Sequence, residues 1–146
     1  MKIPTIAVSG GFDPMHKGHV QMIREAAEYG NVIVILNSDE WLVRKKGYKF
    51  MSFEERSYIA GSIKGVTLVT NVDDSDGTVC SALKRFKPDF FANGGDRYLT
   101  NTPEMEVCEE FNITMLWNIG GGKIQSSSDL VSKARYGRRV IDGQEF

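Results

Sequence analysis

Five consecutive apolar residues, Val32-Ile33-Val34-Ile35-Leu36, constrain this chain more than any other feature. A strand with one wet face alternates apolar and polar side chains, so a run that is apolar throughout needs cover on both faces. The sequence supplies that cover. Thr5-Ile6-Ala7-Val8-Ser9 reads as another strand, and Val66 to Val72, Asp89 to Asn93 and Ile113 to Asn118 as weaker ones. Between His16 and Tyr29 the residues Val20, Ile23, Ala26 and Ala27 recur at helical spacing, and Gly30 is a stop signal. Ser52-Phe53-Glu54-Glu55 is a capping box that predicts a helix to about Ser62. Asp76-Gly77-Thr78 leads into Val79, Leu83 and Phe86, and Lys87-Pro88 ends that helix. Pro103-Glu104 fits the first turn of a helix carrying Met105, Val107, Cys108 and Phe111. Ser127 or Ser128 opens a last helix through Leu130, Val131 and Ala134. Strand–helix alternation predicts a doubly wound α/β domain, with a parallel sheet and right-handed crossovers.

The whole chain, 1–146, reads as one domain with residues 136–146 as a tail; no repeat, linker or low-complexity tract interrupts it. Hydrophobic residues make up 41% and charged residues 25%, which suits an ordinary globular core. The net charge of −1 supplies no global field toward nucleic acid or an anionic membrane. Cys80 and Cys108 form no C-x-x-C pair, which fits a reduced compartment better than a disulfide scaffold. The apolar stretch near Met1 is too brief for a signal peptide or a membrane span. The expectation is a soluble, cytoplasmic protein.

In such sheets, ligands bind beyond the carboxyl ends of strands, near the switch point of strand order. The first such end is Ser9-Gly10-Gly11-Phe12-Asp13-Pro14-Met15-His16-Lys17-Gly18-His19. Gly10 and Gly11 let the backbone approach a bulky anion, and the following helix offers unpaired N–H groups and a positive dipole end. His16 and His19, three residues apart, share one helix face, and Gly18 between them leaves room for a ligand. Two imidazoles beside a helix N-terminus suit phosphate oxygens. When a nucleoside triphosphate is attacked at its α-phosphorus, charge moves onto the leaving pyrophosphate, and donors placed there favour the transition state. Zinc ligation is the weaker reading, because neither cysteine has metal-like spacing, and no metal ligand is assigned.

The stretch from Gly10 to His19 resembles the G-x-F-D-x-x-H-x-G-H signature of the cytidylyltransferase-like nucleotidylyltransferases. That family includes glycerol-3-phosphate, choline-phosphate and ethanolamine-phosphate cytidylyltransferases. It also includes pantetheine-phosphate adenylyltransferase and the adenylyltransferase domain of ADP-heptose synthesis. The resemblance extends to Asn37-Ser38-Asp39-Glu40, Lys45, Glu55-Arg56, Gly94-Gly95-Asp96 and Gln125-Ser126-Ser127-Ser128. It implies strand order 3-2-1-4-5, a homodimer, and transfer of CMP or AMP from CTP or ATP to a phosphorylated small alcohol or sugar. Mg²⁺ would accompany the triphosphate. His16 and His19 would hold the α- and β-phosphates, Lys45 would neutralise phosphate charge, and Ser127 with its helix start would hold the outer phosphates. Where cytidylyltransferases read R-T-E-G-I-S-T, this chain reads Gly121-Gly122-Lys123-Ile124-Gln125-Ser126-Ser127, without the arginine. The second lysine, two places after the first, is Gly47, with Lys46 beside it. The spacing looks closest to the heptose-phosphate branch. The missing arginine also admits a nucleotide-binding module with weak turnover.

Several residues carry two readings. Asp13 suits a helix cap or loop brace as readily as a ligand contact. Arg44-Lys45-Lys46 is a charge run, either a solvated face or a phosphate contact through Lys45 or Lys46. Gly94-Gly95-Asp96-Arg97 is either a plain turn or a reader of base and ribose, with Arg97 a candidate phosphate ligand. Gly120-Gly121-Gly122 followed by Ser126-Ser127-Ser128 reads as a second anion site at a helix N-cap. Asp73-Asp74-Ser75-Asp76-Gly77 reads as a solvated loop rather than a calcium loop. Trp41 and Trp117 suit the core or a pocket wall.

Overall fold

The computed structural model describes residues 2–94, 102–121 and 126–136. Strands β1 (Thr5–Gly10), β2 (Asn31–Leu36), β3 (Val66–Thr70), β4 (Phe90–Ala92) and β5 (Thr114–Leu116) form one parallel sheet in the order β3-β2-β1-β4-β5. The helices are α1 (Lys17–Ala26), α2 (Asp39–Lys46), α3 (Phe53–Gly61), α4 (Cys80–Phe86), α5 (Pro103–Glu110) and α6 (Ser127–Tyr136). Class and strand order are those expected. The order reverses between β1 and β4, so the carboxyl end of β1 is the switch point.

Strand alternation divides the core in two. Ile6, Val8, Val32, Val34, Leu36 and Ala92 meet Ile23 and Ala26 of α1 and Ala60 of α3. Ala7, Ile33, Ile35 and Phe91 meet Cys80 and Leu83 of α4 and Val107 and Cys108 of α5. Every side chain of β2 from Val32 to Leu36 is buried, each worth about 1.5–3 kcal/mol over exposure for its apolar surface. That two-sided burial is what the unbroken apolar run required.

The weaker strands are shorter than their sequence patterns. Register between β4 and β5 spans only Phe90↔Thr114 to Ala92↔Leu116. Ser52 caps α3, its Oγ accepting from Glu55 N–H at 3.3 Å. Helix α2 lies where the sequence reading had only a charge run. Ser38 Oγ accepts from Trp41 N–H at 3.0 Å, Asp39 and Glu40 fill the first turn, and Arg44, Lys45 and Lys46 fill the last. Those charges complement the helix dipole at both ends, and Gly47 closes the helix in the left-handed region at φ 85°. Among the described residues, no helix is long and apolar enough to cross a membrane.

Candidate active site

The turn after β1 is built from residues that leave little choice of position. A Cβ at Gly11 would lie 2.7 Å from Leu42 Cδ2 of α2, so α2 presses directly on the turn. Phe12 is buried with φ +50°, and its ring packs against Gly10. Asp13 has no exposed surface. Its Oδ2 accepts from Phe50 N–H and its Oδ1 from Met51 N–H, both at 2.6 Å. Of the two readings for Asp13, this geometry is loop bracing: both oxygens are taken by the segment leading into α3.

His16 is the N-cap of α1 rather than its first residue. Its Nδ1 accepts from Gly18 N–H at 3.1 Å, while its own N–H donates to His19 Nδ1 at 3.2 Å. Imidazoles thus take the parts that Ser and Glu play in an ordinary capping box. The two rings stack at 3.7 Å between centroids, 18° from parallel, and the edge of Phe12 meets His19 at 4.7 Å. A ring nitrogen that accepts an amide proton carries none itself, so each neutral ring keeps its proton on Nε2. Burial above all, then the charges of His16 and Lys46, pushes the His19 pKa down to about 3. His19 is therefore a neutral N–H donor at a helix N-terminus.

The structure separates the two candidate lysines. Lys45 is exposed, with Nζ 4.7 Å from the Trp41 ring centre. Lys46 falls four residues after buried Leu42, on the helix face that presses on the turn. It is half-buried, and its pKa is lowered by desolvation, with the charge of Asp13 opposing and those of Lys45 and Arg56 adding. Lys46 is thus the lysine whose charge reaches His19.

Two buried charges stand behind the turn in roles the sequence reading did not assign. Arg56, 1% exposed, donates from Nη1 to Gly11 O at 2.9 Å and to Asn37 O at 2.8 Å. Its Nε reaches Met51 O at 3.0 Å, and its Nη2 reaches Asp39 Oδ1 at 2.7 Å. Burial pushes the Asp39 carboxyl up, but hydrogen bonds from Arg56 and Lys49 outweigh it and hold the group low. Asp74, in the stretch read as a solvated loop, is 3% exposed. It accepts from Asn37 Nδ2 at 3.0 Å, Ser38 N–H at 2.8 Å and Ser38 Oγ at 2.7 Å. Solvation holds only for its neighbours, such as exposed Asp73 and Asp76.

The later segments converge on the same place. A Cβ at Gly94 would lie 3.7 Å from Met22 Sδ, and one at Gly120 would lie 2.8 Å from Met22 Cα. Met22 is one turn beyond His19, so the ends of β4 and β5 are drawn against the start of α1. Glu25 secures this by accepting from Gly120 N–H at 2.9 Å. Ser127 Oγ donates to Pro14 O at 2.7 Å, which fixes the start of α6 on the β1–α1 turn. Ser126 caps α6 through Asp129 N–H at 3.2 Å, and Ser128 is exposed. Asp96, Arg97 and Lys123 lie outside the described residues, as do tail residues 137–146.

Over 109 residues the chain is 30% identical to the bifunctional protein HldE of Geobacter sulfurreducens, covering 73% of this chain but 22% of that protein. It is 29% identical over 93 residues to the FAD synthase of Ferroglobus placidus, covering 64% of this chain and 60% of that one. The chain therefore spans about a fifth of the first relative's length. A lipopolysaccharide core biosynthesis protein from Thermoplasma volcanium shares the fold at TM-score 0.66 and 19% identity, over 80% of this chain and 97% of that one. The family model described as cytidylyltransferase-like matches residues 7–118, from the first strand through the turn after β5. With a glycine turn, paired imidazoles and strand order all in place, the chain belongs to the cytidylyltransferase-like family.

Proposed function

We propose that the chain is a nucleotidyltransferase that moves CMP or AMP from CTP or ATP to the phosphate of a small phosphorylated alcohol or sugar. One observation carries this reading: the two imidazoles, each accepting a backbone N–H on Nδ1, stack side by side at a helix N-terminus beside a glycine turn. An oxygen of the acceptor phosphate attacks the α-phosphorus. The bond from that phosphorus to the α,β-bridging oxygen breaks, and pyrophosphate leaves. Donors fixed near the bridging and β-oxygens stabilise the charge gathering there, and no covalent enzyme intermediate is needed. His19, kept neutral by burial, serves this role without any proton changing hands.

Lys46 adds positive charge on the α2 side of the same turn. The single hydroxyl proton of Ser127 is engaged on Pro14 O, so the outer phosphates would be met by first-turn N–H groups of α6 rather than by that hydroxyl. Mg²⁺ belongs to this reading as the counter-ion of the triphosphate. The described side chains are not arranged to hold it. Asp13, the carboxylate nearest the histidines in sequence, has both oxygens on backbone amides, and no group of three ligating side chains occurs among the described residues.

The test is the His16→Ala/His19→Ala double variant, followed by pyrophosphate release with each triphosphate and a panel of phosphorylated acceptors. Release should fall roughly 10²-fold or more while far-UV circular dichroism stays native. Undiminished release by the folded variant would end the proposal. Calorimetric titration with all four triphosphates identifies the base.

A further inference from the structure

Helix α2 lies against the turn after β1 without an apolar face to hold it there. Leu42, which meets Gly11, is its single buried side chain, and Val43 is exposed. Yet α2 carries Lys46, whose charge reaches His19. A helix so short and polar is not placed by packing. Polar ties at its start place it, and two carboxylates supply them. Asp39 is held by Arg56 and Lys49. Asp74 crosses from the loop after β3: its Oδ2 accepts from Asn37 Nδ2 and Ser38 N–H, and its Oδ1 from the Ser38 hydroxyl. Arg44, in the last turn of α2, donates to Asp74 O at 2.8 Å, so this one residue grips α2 near both ends. The loop itself is fixed. Asp74 O also accepts from Gly77 N–H at 2.9 Å, and Ser81 Oγ donates to Asp73 O at 3.1 Å.

Resting on the transferase reading above, we propose that Asp74 is a positioning residue for the transfer: acting through Ser38 and Arg44, it sets where α2 holds Lys46 against the triphosphate. The Ser38 hydroxyl is the hinge of this arrangement. It has one proton, and that proton is on Asp74, so its lone pairs are left to receive Trp41 N–H at 3.0 Å. The carboxylate thus aims the cap that starts the helix, and the aim is passed along α2 to Lys46. Asp74 is buried and engaged on protein donors, so its effect on the reaction runs through the helix rather than through contact with a substrate.

Two substitutions break the link from opposite sides. Asp74→Asn keeps an oxygen for Asn37 Nδ2 and Ser38 N–H but sets NH₂ against the Ser38 hydroxyl, which can no longer donate there. Ser38→Ala removes the hydroxyl. Pyrophosphate release is measured for the full chain with CTP and with ATP over a panel of phosphorylated acceptors, in the wild-type and Lys46→Met backgrounds. Each substitution alone should raise the KM for the triphosphate about five- to tenfold while far-UV circular dichroism stays native. Partial unfolding would instead lower kcat and leave KM where it was. In the Lys46→Met background the same substitutions should move that KM less than about twofold, because the group they position is gone. A triphosphate KM unmoved by both substitutions, or raised equally with and without Lys46, would overturn the inference and leave the transferase reading standing. Should Asp74→Asn fail to fold, Ser38→Ala decides on the same two criteria. A wild-type chain that releases pyrophosphate with no acceptor would overturn the transferase reading, and this inference with it.

Discussion

Asp13→Asn separates a brace from a ligand contact. The wild-type carboxylate is wholly buried and receives two backbone N–H groups at 2.6 Å, one per oxygen. Asparagine keeps the size but has one oxygen, so whichever way the amide turns, its NH₂ faces the N–H of Phe50 or Met51. Losing the charge on the retained hydrogen bond costs about 1 kcal/mol, and the stranded buried N–H costs about 1–3 kcal/mol more. The sum is near 3 kcal/mol, a large share of the ~5–15 kcal/mol that holds a typical domain folded. It corresponds to a fall in Tm of roughly 6–12 °C for a chain of this size. Urea unfolding followed by the fluorescence of Trp41 and Trp117, at unchanged m, gives the number. A residue that merely touched the triphosphate would leave stability within about 0.5 kcal/mol and alter only KM. A loss below about 1 kcal/mol would refute the bracing.

His19 gives the pH dependence its sign. Folded, it titrates at about 3 against an ordinary 6.5, so between those values the unfolded chain binds the extra proton. Stability should be complete above about pH 6.5 and decline as the pH drops toward 3, read from urea midpoints at pH 7.5 and 5. In long-range ¹H–¹⁵N spectra the His19 ring should show the Nε2–H tautomer throughout that interval, and a titration centred near 6.5 contradicts the assignment. Lys46→Met should lower kcat/KM for the triphosphate at least about tenfold, and Lys45→Met less than about threefold; the reverse ranking in steady-state kinetics would sink the placement of Lys46.

The fold was legible where its signals are local. The unbroken apolar run of β2, the capping box at Ser52 and the glycines after β1 each state their requirement within a few residues. Helix α2 was missed because Leu42 is its one buried side chain, so apolar periodicity had nothing to count. Its polar signals were present in Ser38, the acid–base order of its two ends, and Gly47. Without that helix there was no face to separate Lys45 from Lys46. The bracing roles of Arg56 and Asp74 escaped for another reason. Their partners lie 45 residues away at Gly11 and 37 at Asn37, and only a folded sheet edge brings such pairs together. Asp13 was readable as a brace in kind, but not in its target.

The grip of Arg56 on Gly11 also settles where a neighbouring dipole points. In a trans peptide the carbonyl and the amide hydrogen lie on opposite sides of the plane. The guanidinium draws the Gly11 oxygen inward, so the hydrogen on Phe12 nitrogen is turned the other way. The next buried carbonyl behaves alike: Asn37 O faces Arg56, and the Ser38 hydrogen across the same plane meets Asp74. One planar cation in the interior thereby aligns two backbone units like compass needles, one of them in the phosphate turn itself.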